Sequence, residues 1–198
     1  MRRREFLPTA AAAASLPLTA AGAPREWPYY GGDENASRYS PLSQINKSNV
    51  KKLKVGWVHK TGDAMERPAT AIECTPIVVD GVMYLTTPML KVRAVNPLTG
   101  EAKWTFDPAR GRASGRSPGT ARGVTYFQQG KDKHIFVAVQ DRMYSIDAVT
   151  GEPDAAFGNK GSIDLREELD HDMKGLNFRH TSPAVVFEDL LIVGGGGG

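Results

Sequence analysis

The sequence predicts an all-β fold in which short antiparallel strands recur along the chain. Apolar, β-branched segments alternate with turns rich in Gly, Pro, Asn and Asp, and no segment shows convincing amphipathic helical periodicity. Two similar motifs about 50 residues apart add a repeat, and each repeat unit holds three or four predicted strands. A repeat of this size is typical of β-propeller blades. We therefore expect the first blades of a propeller.

The N-terminal segment has the layout of an export signal. Three arginines at residues 2–4 precede an apolar, alanine-rich run that ends at Ala23. A positive start, a short apolar stretch and small residues at the end are typical of a secretory signal peptide. Residues 3–7 also fit the twin-arginine pattern. We expect residues 1–23 to be removed on export to the periplasm, with a cut after Ala21 or Ala23, and a disordered leader is the alternative.

The charge and cysteine content exclude several classes of protein. The sequence pI is about 9.0, but the net charge is only +3. Without residues 1–23, Lys+Arg would fall from 25 to about 22 and Asp+Glu from 22 to about 21. A net charge near +1 gives no reason to expect a nucleic-acid partner. One cysteine excludes an internal disulfide, and together with four histidines it offers no usual zinc-ligand set.

Three β-hairpins are predicted from pairs of apolar segments around short polar turns. The pairs are residues 77–79 with 82–85, 135–139 with 143–146, and 185–187 with 190–193. The first pair flanks Asp80-Gly81, a strong hairpin signal. We expect a helix only over residues 164–169 and a single helical turn within residues 46–52.

The repeat consists of an apolar residue, Asn or Asp, two residues and then Thr-Gly-Glu. It occurs at residues 94–101 and again at residues 145–152. The Asx side chain can bond its own backbone and glycine supplies a positive φ, so each copy predicts a tight turn. Trp104 follows the first copy, Phe157 is expected in a similar place after the second, and Trp57 is expected to end an earlier unit. Chance similarity of two hairpins is the alternative.

A series of short motifs that begins at residue 27 is more specific than the repeat. In order they read WPYYGGD (27–33), RYSPL (38–42), QIN (44–46), LKVGW (53–57), FGNKG (157–161) and TSP (181–183). These blocks resemble the quinoprotein dehydrogenases, in particular the periplasmic part of the membrane-type glucose and quinate dehydrogenases. The resemblance implies an eight-bladed β-propeller that holds pyrroloquinoline quinone (PQQ) and Ca²⁺.

The resemblance also implies an activity and its partners. A protein of this type oxidises a sugar or polyol substrate and passes the electrons to a respiratory quinone or a cytochrome. A non-catalytic periplasmic β-propeller scaffold with the same repeat is the second interpretation. It shares the Thr-Gly-Glu turns but has no use for a cofactor site.

Three residues match the family's cofactor contacts. Glu73 matches a glutamate that contacts PQQ, Arg122 matches an arginine that reaches the quinone oxygens, and Thr181 matches a threonine that donates its hydroxyl to PQQ. A guanidinium in that place can stabilise negative charge that develops on the quinone as hydride arrives. The structural alternatives are a solvated strand end for Glu73, a surface arginine beside a turn glycine, and a threonine that only starts a strand.

Two departures separate the chain from other branches of the family. Alcohol-oxidising relatives place adjacent cysteines six and five residues before the arginine, where this chain has Arg116 and Ser117, and its one cysteine is Cys74. Some glucose enzymes carry a histidine four residues before the arginine, where this chain has Pro118. The first departure favours the sugar or cyclic-polyol branch. Together they leave open what covers that face of PQQ.

The repeat assigns the chain to only part of a propeller, because two or three blades cannot close the ring. The resemblance places the calcium ligands, the catalytic aspartate and a PQQ-stacking tryptophan after Val193. The run Gly194 to Gly198 stands there instead, and glycine disfavours strand order. We expect residues 24–198 to be a truncated N-terminal part of a PQQ-dehydrogenase propeller. It would have no catalytic residue and no metal ligand of its own, and would be inactive alone.

Overall fold

The computed structural model describes residues 26–110, 118–167, 169 and 178–197. The predicted leader, residues 1–23, and the pair Arg116 and Ser117 lie outside these residues. A short 3₁₀ helix, Val50–Lys52, confirms the single helical turn predicted near it. In the described part of the chain no helix has the length and apolar character needed to cross a membrane.

The rest of the described chain is built from strands and turns. The strands are β1 (Ile77–Val79), β2 (Val82–Thr86), β3 (Val92–Val95), β4 (Ala102–Phe106), β5 (Thr125–Gln129), β6 (Asp132–Val139), β7 (Arg142–Asp147), β8 (Ser162–Asp164), β9 (Phe178–Arg179), β10 (Val185–Phe187), β11 (Leu190–Ile192) and β12 (Gly196–Gly197).

Two four-stranded antiparallel sheets dominate the fold. Blade 1 has the strand order β1-β2-β3-β4 and blade 2 the order β5-β6-β7-β8, so each strand pairs with its neighbours in sequence. Beyond them β10 pairs with β11, and β9 with β12. Repeated four-stranded sheets of this kind are propeller blades. The predicted all-β propeller class is confirmed.

The three predicted hairpins all form. In the first, Ile77 lies opposite Tyr84 across a two-residue turn. Asp80 (φ 50°) and Gly81 (φ 69°) occupy that turn, and positive φ at both central residues is what a type I′ turn requires. The other two hairpins are β6–β7 and β10–β11.

The repeated Thr-Gly-Glu motif folds into the same turn twice. Asn96 Oδ1 accepts the N–H of Leu98 at 2.9 Å, and Asp147 Oδ1 accepts the N–H of Val149 at 2.9 Å. The glycines that follow take φ values of 76° and 78°. In both copies the Asx N–H donates to the carbonyl of the motif's glutamate at 2.8 Å. The repeat is therefore structural and not a chance likeness.

A tryptophan docks on each of these turns. Trp57 Nε1 donates to Pro97 O at 3.0 Å, and Trp104 Nε1 donates to Ala148 O at 3.1 Å. The indole rings cover the glycines, because a Cβ on Gly100 would lie 2.5 Å from Trp57 Cε3. Only glycine fits under such a ring. The expectation that Trp57 ends an earlier unit agrees with this shared geometry.

The expectation for Phe157 is wrong. Trp104 lies on β4 opposite Ala94, whereas Phe157 lies in the loop before β8 and packs against Phe136 with ring centroids 5.6 Å apart. In blade 2 the residue that corresponds to Ala94 is Ser145, and its N–H donates to the carbonyl oxygen of Gly161. The loop before β8 is longer than the loop before β4, so an equal distance along the sequence does not give an equal place in the sheet.

Two further expectations fail for local reasons. Asp164 ends β8, and residues 165–167 form a turn in which Asp164 Oδ1 accepts the N–H of Arg166 at 3.0 Å. This bond from side chain to backbone replaces the predicted helix.

Glycines form strand β12, against the expectation that the glycine run disfavours strand order. The ladder bonds to β9 need only the backbone, so a strand can form without side chains.

The main core lies between blades 1 and 2. Ile77 and Val92 from blade 1 meet Ile135 and Ile146 from blade 2, and all four are fully buried. A second cluster that includes Met143 and Ala184 joins blade 2 to the segment before β10. These contacts hold the entries of β1, β5 and β10 side by side.

Candidate functional site

The three predicted site residues lie in the segments that lead into successive sheets. Glu73 precedes β1, Arg122 precedes β5 and Thr181 precedes β10. Backbone hydrogen bonds join the segments: Thr75 N–H donates to Arg122 O at 2.9 Å, and Arg122 N–H donates to Thr181 O at 2.7 Å. The fold brings all three residues together.

Their side chains form one connected group with Arg122 at its centre. Arg122 Nη1 donates to Thr181 Oγ1 at 2.5 Å, and Nη2 lies 3.5 Å from Glu73 Oε2. The side chains of Arg122 and Glu73 are 42% and 46% exposed. The group is therefore ordered by its own contacts while remaining accessible to a ligand.

The residues that flank Arg122 explain why it can sit there. Ala121 is buried, and its carbonyl accepts the Thr86 hydroxyl at 2.7 Å, which anchors the segment to blade 1. A Cβ on Gly123 would lie 3.2 Å from both Thr75 O and Pro183 Cγ, closer than side chains usually approach. Glycine therefore lets three segments converge at the arginine.

Sequence reasoning missed a fourth member of the group. Thr120 Oγ1 donates to Glu73 Oε1 at 3.1 Å. Its position two residues before Arg122 was the available signal, because alternate residues of an extended segment share one face. The carboxylate of Glu73 thus has a different partner on each oxygen.

Cys74 lies beside the group but points into the fold. Its Sγ accepts the backbone N–H of Thr86 at 3.2 Å. Burial raises the pKa of the Cys74 thiol, which disfavours the reactive thiolate. Cys74 therefore serves as an inert packing residue.

The chemistry of this group fits a planar anionic ligand such as PQQ. A guanidinium carries five N–H donors in a flat fork, which suits carboxylate and quinone oxygens. Arg122 directs one side of the fork to Thr181 and the other to Glu73, and the half-exposed side chain keeps the rest of its surface open. Glu73 adds an acceptor at the same place.

A cleft of about 240 Å³ opens beside the group. Its lining consists of Trp27, Tyr30, Arg38 and Thr75, and Thr75 also bonds the Arg122 carbonyl. Trp27 and Val78 exchange two backbone bonds of 2.9 Å, so the opening segment of the chain runs along β1 towards the site. The sequence motif WPYYGGD therefore forms a wall beside the predicted residues.

A polar cluster in blade 2 is too deeply buried to act as a second active site. Ser145, His134 and Asp154 lie 3.3 to 3.5 Å from one another, but Ser145 is fully buried and no substrate can reach its hydroxyl. No group of three or more His, Cys, Asp or Glu side chains in the described ranges is placed to hold a metal ion.

Comparison with known families gives one match that covers most of the chain. The profile described as "PQQ: Glucose/ethanol/alcohol dehydrogenase, beta-propeller domain" matches residues 27–197. This range contains every member of the group around Arg122.

Individual relatives agree with that match. The chain is 33% identical over 192 residues to quinoprotein glucose dehydrogenase A of Acinetobacter calcoaceticus, covering 86% of the chain and 24% of the relative. It is 36% identical over 185 residues to the quinoprotein glucose dehydrogenase of Gluconobacter oxydans, covering 84% and 23%. The chain therefore spans about a quarter of the length of these relatives.

A solved structure shows the same architecture. The crystal structure of quinohemoprotein alcohol dehydrogenase from Comamonas testosteroni superposes with a TM-score of 0.68 at 30% identity, over 87% of this chain and 23% of that one. Both glucose and alcohol dehydrogenases are thus similar to this chain.

Proposed function

The chain belongs to the PQQ β-propeller family of glucose, ethanol and alcohol dehydrogenases, and from that premise we propose that it forms the N-terminal blades of a PQQ-dependent dehydrogenase that oxidises a sugar or polyol. The observation that carries the proposal is the convergence of Glu73, Arg122 and Thr181 at the entries of three successive sheets. The sequence resemblance predicts the same three residues independently of this geometry.

Each residue has a distinct task in this proposal. PQQ supplies an ortho-quinone that accepts hydride from the substrate carbon. Arg122 would bind the quinone oxygens and stabilise negative charge on them. Thr181 and Glu73 would orient the guanidinium, because they occupy its two Nη groups. Glu73 would also contact the cofactor.

Two arguments support a sugar or polyol as the substrate. Two of the similar proteins are named quinoprotein glucose dehydrogenases. The adjacent cysteines of the alcohol-oxidising branch are replaced by Arg116 and Ser117 in the sequence. The similarity to a quinohemoprotein alcohol dehydrogenase makes an alcohol the competing substrate class.

The proposal also includes groups outside the site around Arg122. Ca²⁺ ligands and an aspartate base would come from further blades, and a respiratory quinone or a cytochrome would receive the electrons. Export by residues 1–23 would place the protein in the periplasm.

A periplasmic scaffold with the same repeat would also contain the Trp-docked turns. Such a scaffold gives no reason for a half-exposed arginine held between a glutamate and a threonine at the strand entries. The dehydrogenase proposal accounts for both features.

Arg122→Ala in the full-length protein tests the proposed function. We expect PQQ to bind at least tenfold more weakly, because a charge-assisted contact is lost. Titration calorimetry with PQQ in the presence of Ca²⁺ measures the affinity.

Lys103→Ala is the matched control, since it removes an exposed cation from β4, at the edge of blade 1 opposite β1. Arg122→Lys keeps the charge and should recover only part of the affinity. Equal PQQ affinity in Arg122→Ala and Lys103→Ala would favour the scaffold.

A further inference from the structure

We propose that Thr120 is a positioning residue of the cofactor site: its hydroxyl holds Glu73 so that Arg122 stays directed at Thr181 and the cofactor. The inference rests on the proposed function and extends it to a residue that no motif identified. It starts from the bond between Thr120 Oγ1 and Glu73 Oε1 at 3.1 Å.

The bond joins two sheets and not two neighbours in sequence. Glu73 leads into blade 1, whereas Thr120 leads into blade 2, and 47 residues separate them. The backbone bond from Thr75 N–H to Arg122 O fixes the two segments side by side. Thr120 therefore reaches Glu73 from a backbone that is already held in register.

Thr120 and Arg122 approach the same carboxylate from one face of the segment that precedes β5. They are two residues apart in an extended segment, and Ala121 between them is buried on the opposite side. Thr120 takes Oε1, and Arg122 Nη2 lies 3.5 Å from Oε2. Each carboxylate oxygen is thus assigned to one partner.

This division of the two oxygens sets the direction of the arginine. A carboxylate with both oxygens free can take a guanidinium in a bidentate fork. Such a pairing would draw Arg122 towards Glu73 and away from Thr181, whose Oγ1 accepts a hydrogen bond from Nη1 at 2.5 Å. By bonding Oε1, Thr120 fixes the rotation of the carboxylate and so disfavours that pairing without adding charge to the site.

Thr120→Val in the full-length protein tests this role, because valine keeps the shape and removes the hydroxyl. We expect PQQ to bind about fivefold to tenfold more weakly, as for a lost bond to a charged group. Thr120→Ser should restore most of the affinity. Thr105→Val is the matched control, since Thr105 is exposed on β4. Melting temperatures of the cofactor-free variants show that each one folds.

A double-mutant cycle with Glu73→Ala separates positioning from a general effect on structure. If Thr120 acts through Glu73, Thr120→Val should cost no further PQQ affinity in the Glu73→Ala background. If Glu73→Ala weakens binding while Thr120→Val matches Thr105→Val, the role of Thr120 is overturned and the proposed function stands. If neither Glu73→Ala nor Arg122→Ala changes PQQ affinity, both fail.

Discussion

Asp164 shows how a single residue replaces a predicted helix and makes the fold sensitive to acid. Arg166 Nε donates to Oδ1 at 2.9 Å and Nη2 to Oδ2 at 2.6 Å, while Arg142 lies 3.7 Å away. The hydrogen bonds from Arg166 lower the pKa of Asp164 to about 2, against the opposing effect of burial. The ionised form of the Asp164 carboxylate is therefore more stable in the folded chain than in the unfolded one.

The lowered pKa predicts the pH range in which Asp164 stabilises the fold. Since the folded pKa lies below the unfolded one, the contribution is complete above about pH 5 and is lost as pH falls through about 2. Asp164→Asn should lower the free energy of unfolding by about 1 kcal/mol at pH 7 and by progressively less below about pH 4. Urea unfolding at a series of pH values measures the difference.

Asp132→Asn is the control, because this carboxylate is exposed at the start of β6. A difference between wild type and Asp164→Asn that stays constant down to about pH 2 would contradict the assignment.

At the scale of elements, the docked tryptophans join one sheet to the next. Trp104 belongs to β4, the outer strand of blade 1, and docks on the Gly151 turn that follows β7 of blade 2. Trp57 docks on the Gly100 turn of blade 1 in the same way. We therefore expect the extended segment around Trp57 to be the outer strand of another blade. The exposed Val55 and Val58 of this segment agree with an unpaired strand.

Gly151→Ala tests whether this docking stabilises the pair of blades. A Cβ there would lie 2.6 Å from Trp104 Cδ2, and φ is 78°. Gly130→Ala is a matched control, since Gly130 has φ 62° but open space around it. Both substitutions should lower the free energy of unfolding by about 1 kcal/mol, because alanine is strained at a positive φ. Gly151→Ala should lower it by about 2 kcal/mol more, because its Cβ clashes with Trp104. If urea unfolding gives the same decrease in the free energy of unfolding for both variants, the Trp104 indole moves aside without loss of stability.

The elements predicted correctly from sequence are those that local chemistry determines. The Asp80-Gly81 turn and both Thr-Gly-Glu turns depend on residues within a few positions of each other. Phe157 was misplaced because its environment depends on the length of the loop before β8. The helix over residues 164–169 failed because the Asp164 side chain competes for the backbone.

At the scale of the whole molecule, the site depends on three sheets standing side by side. The resemblance to the family predicts Glu73, Arg122 and Thr181, because each matches a cofactor contact of that family. Thr120 belongs to no motif, and the signal for it in the sequence is its place two residues before Arg122. Its partner lies 47 residues away, and the packing of blade 1 against blade 2 reveals that contact. A residue that acts through a contact between sheets leaves little trace in one sequence.

The whole-molecule prediction is that residues 24–198 alone do not turn over glucose. In a propeller, radial closure of the sheets encloses the centre. Here Arg122 and Glu73 are nearly half exposed, and the apolar side chains of Val185, Phe187 and Leu190 are each more than half exposed. A site open to water lacks the water-excluded environment that strengthens contacts to a developing charge.

A dye-linked assay of glucose oxidation with PQQ and Ca²⁺ should give the same rate with and without the chain. The glucose dehydrogenase of Gluconobacter oxydans, which is 36% identical over 185 residues, is the positive control. PQQ-dependent turnover by these residues alone would show that two blades and a third hairpin suffice for the chemistry, and would contradict the need for closure.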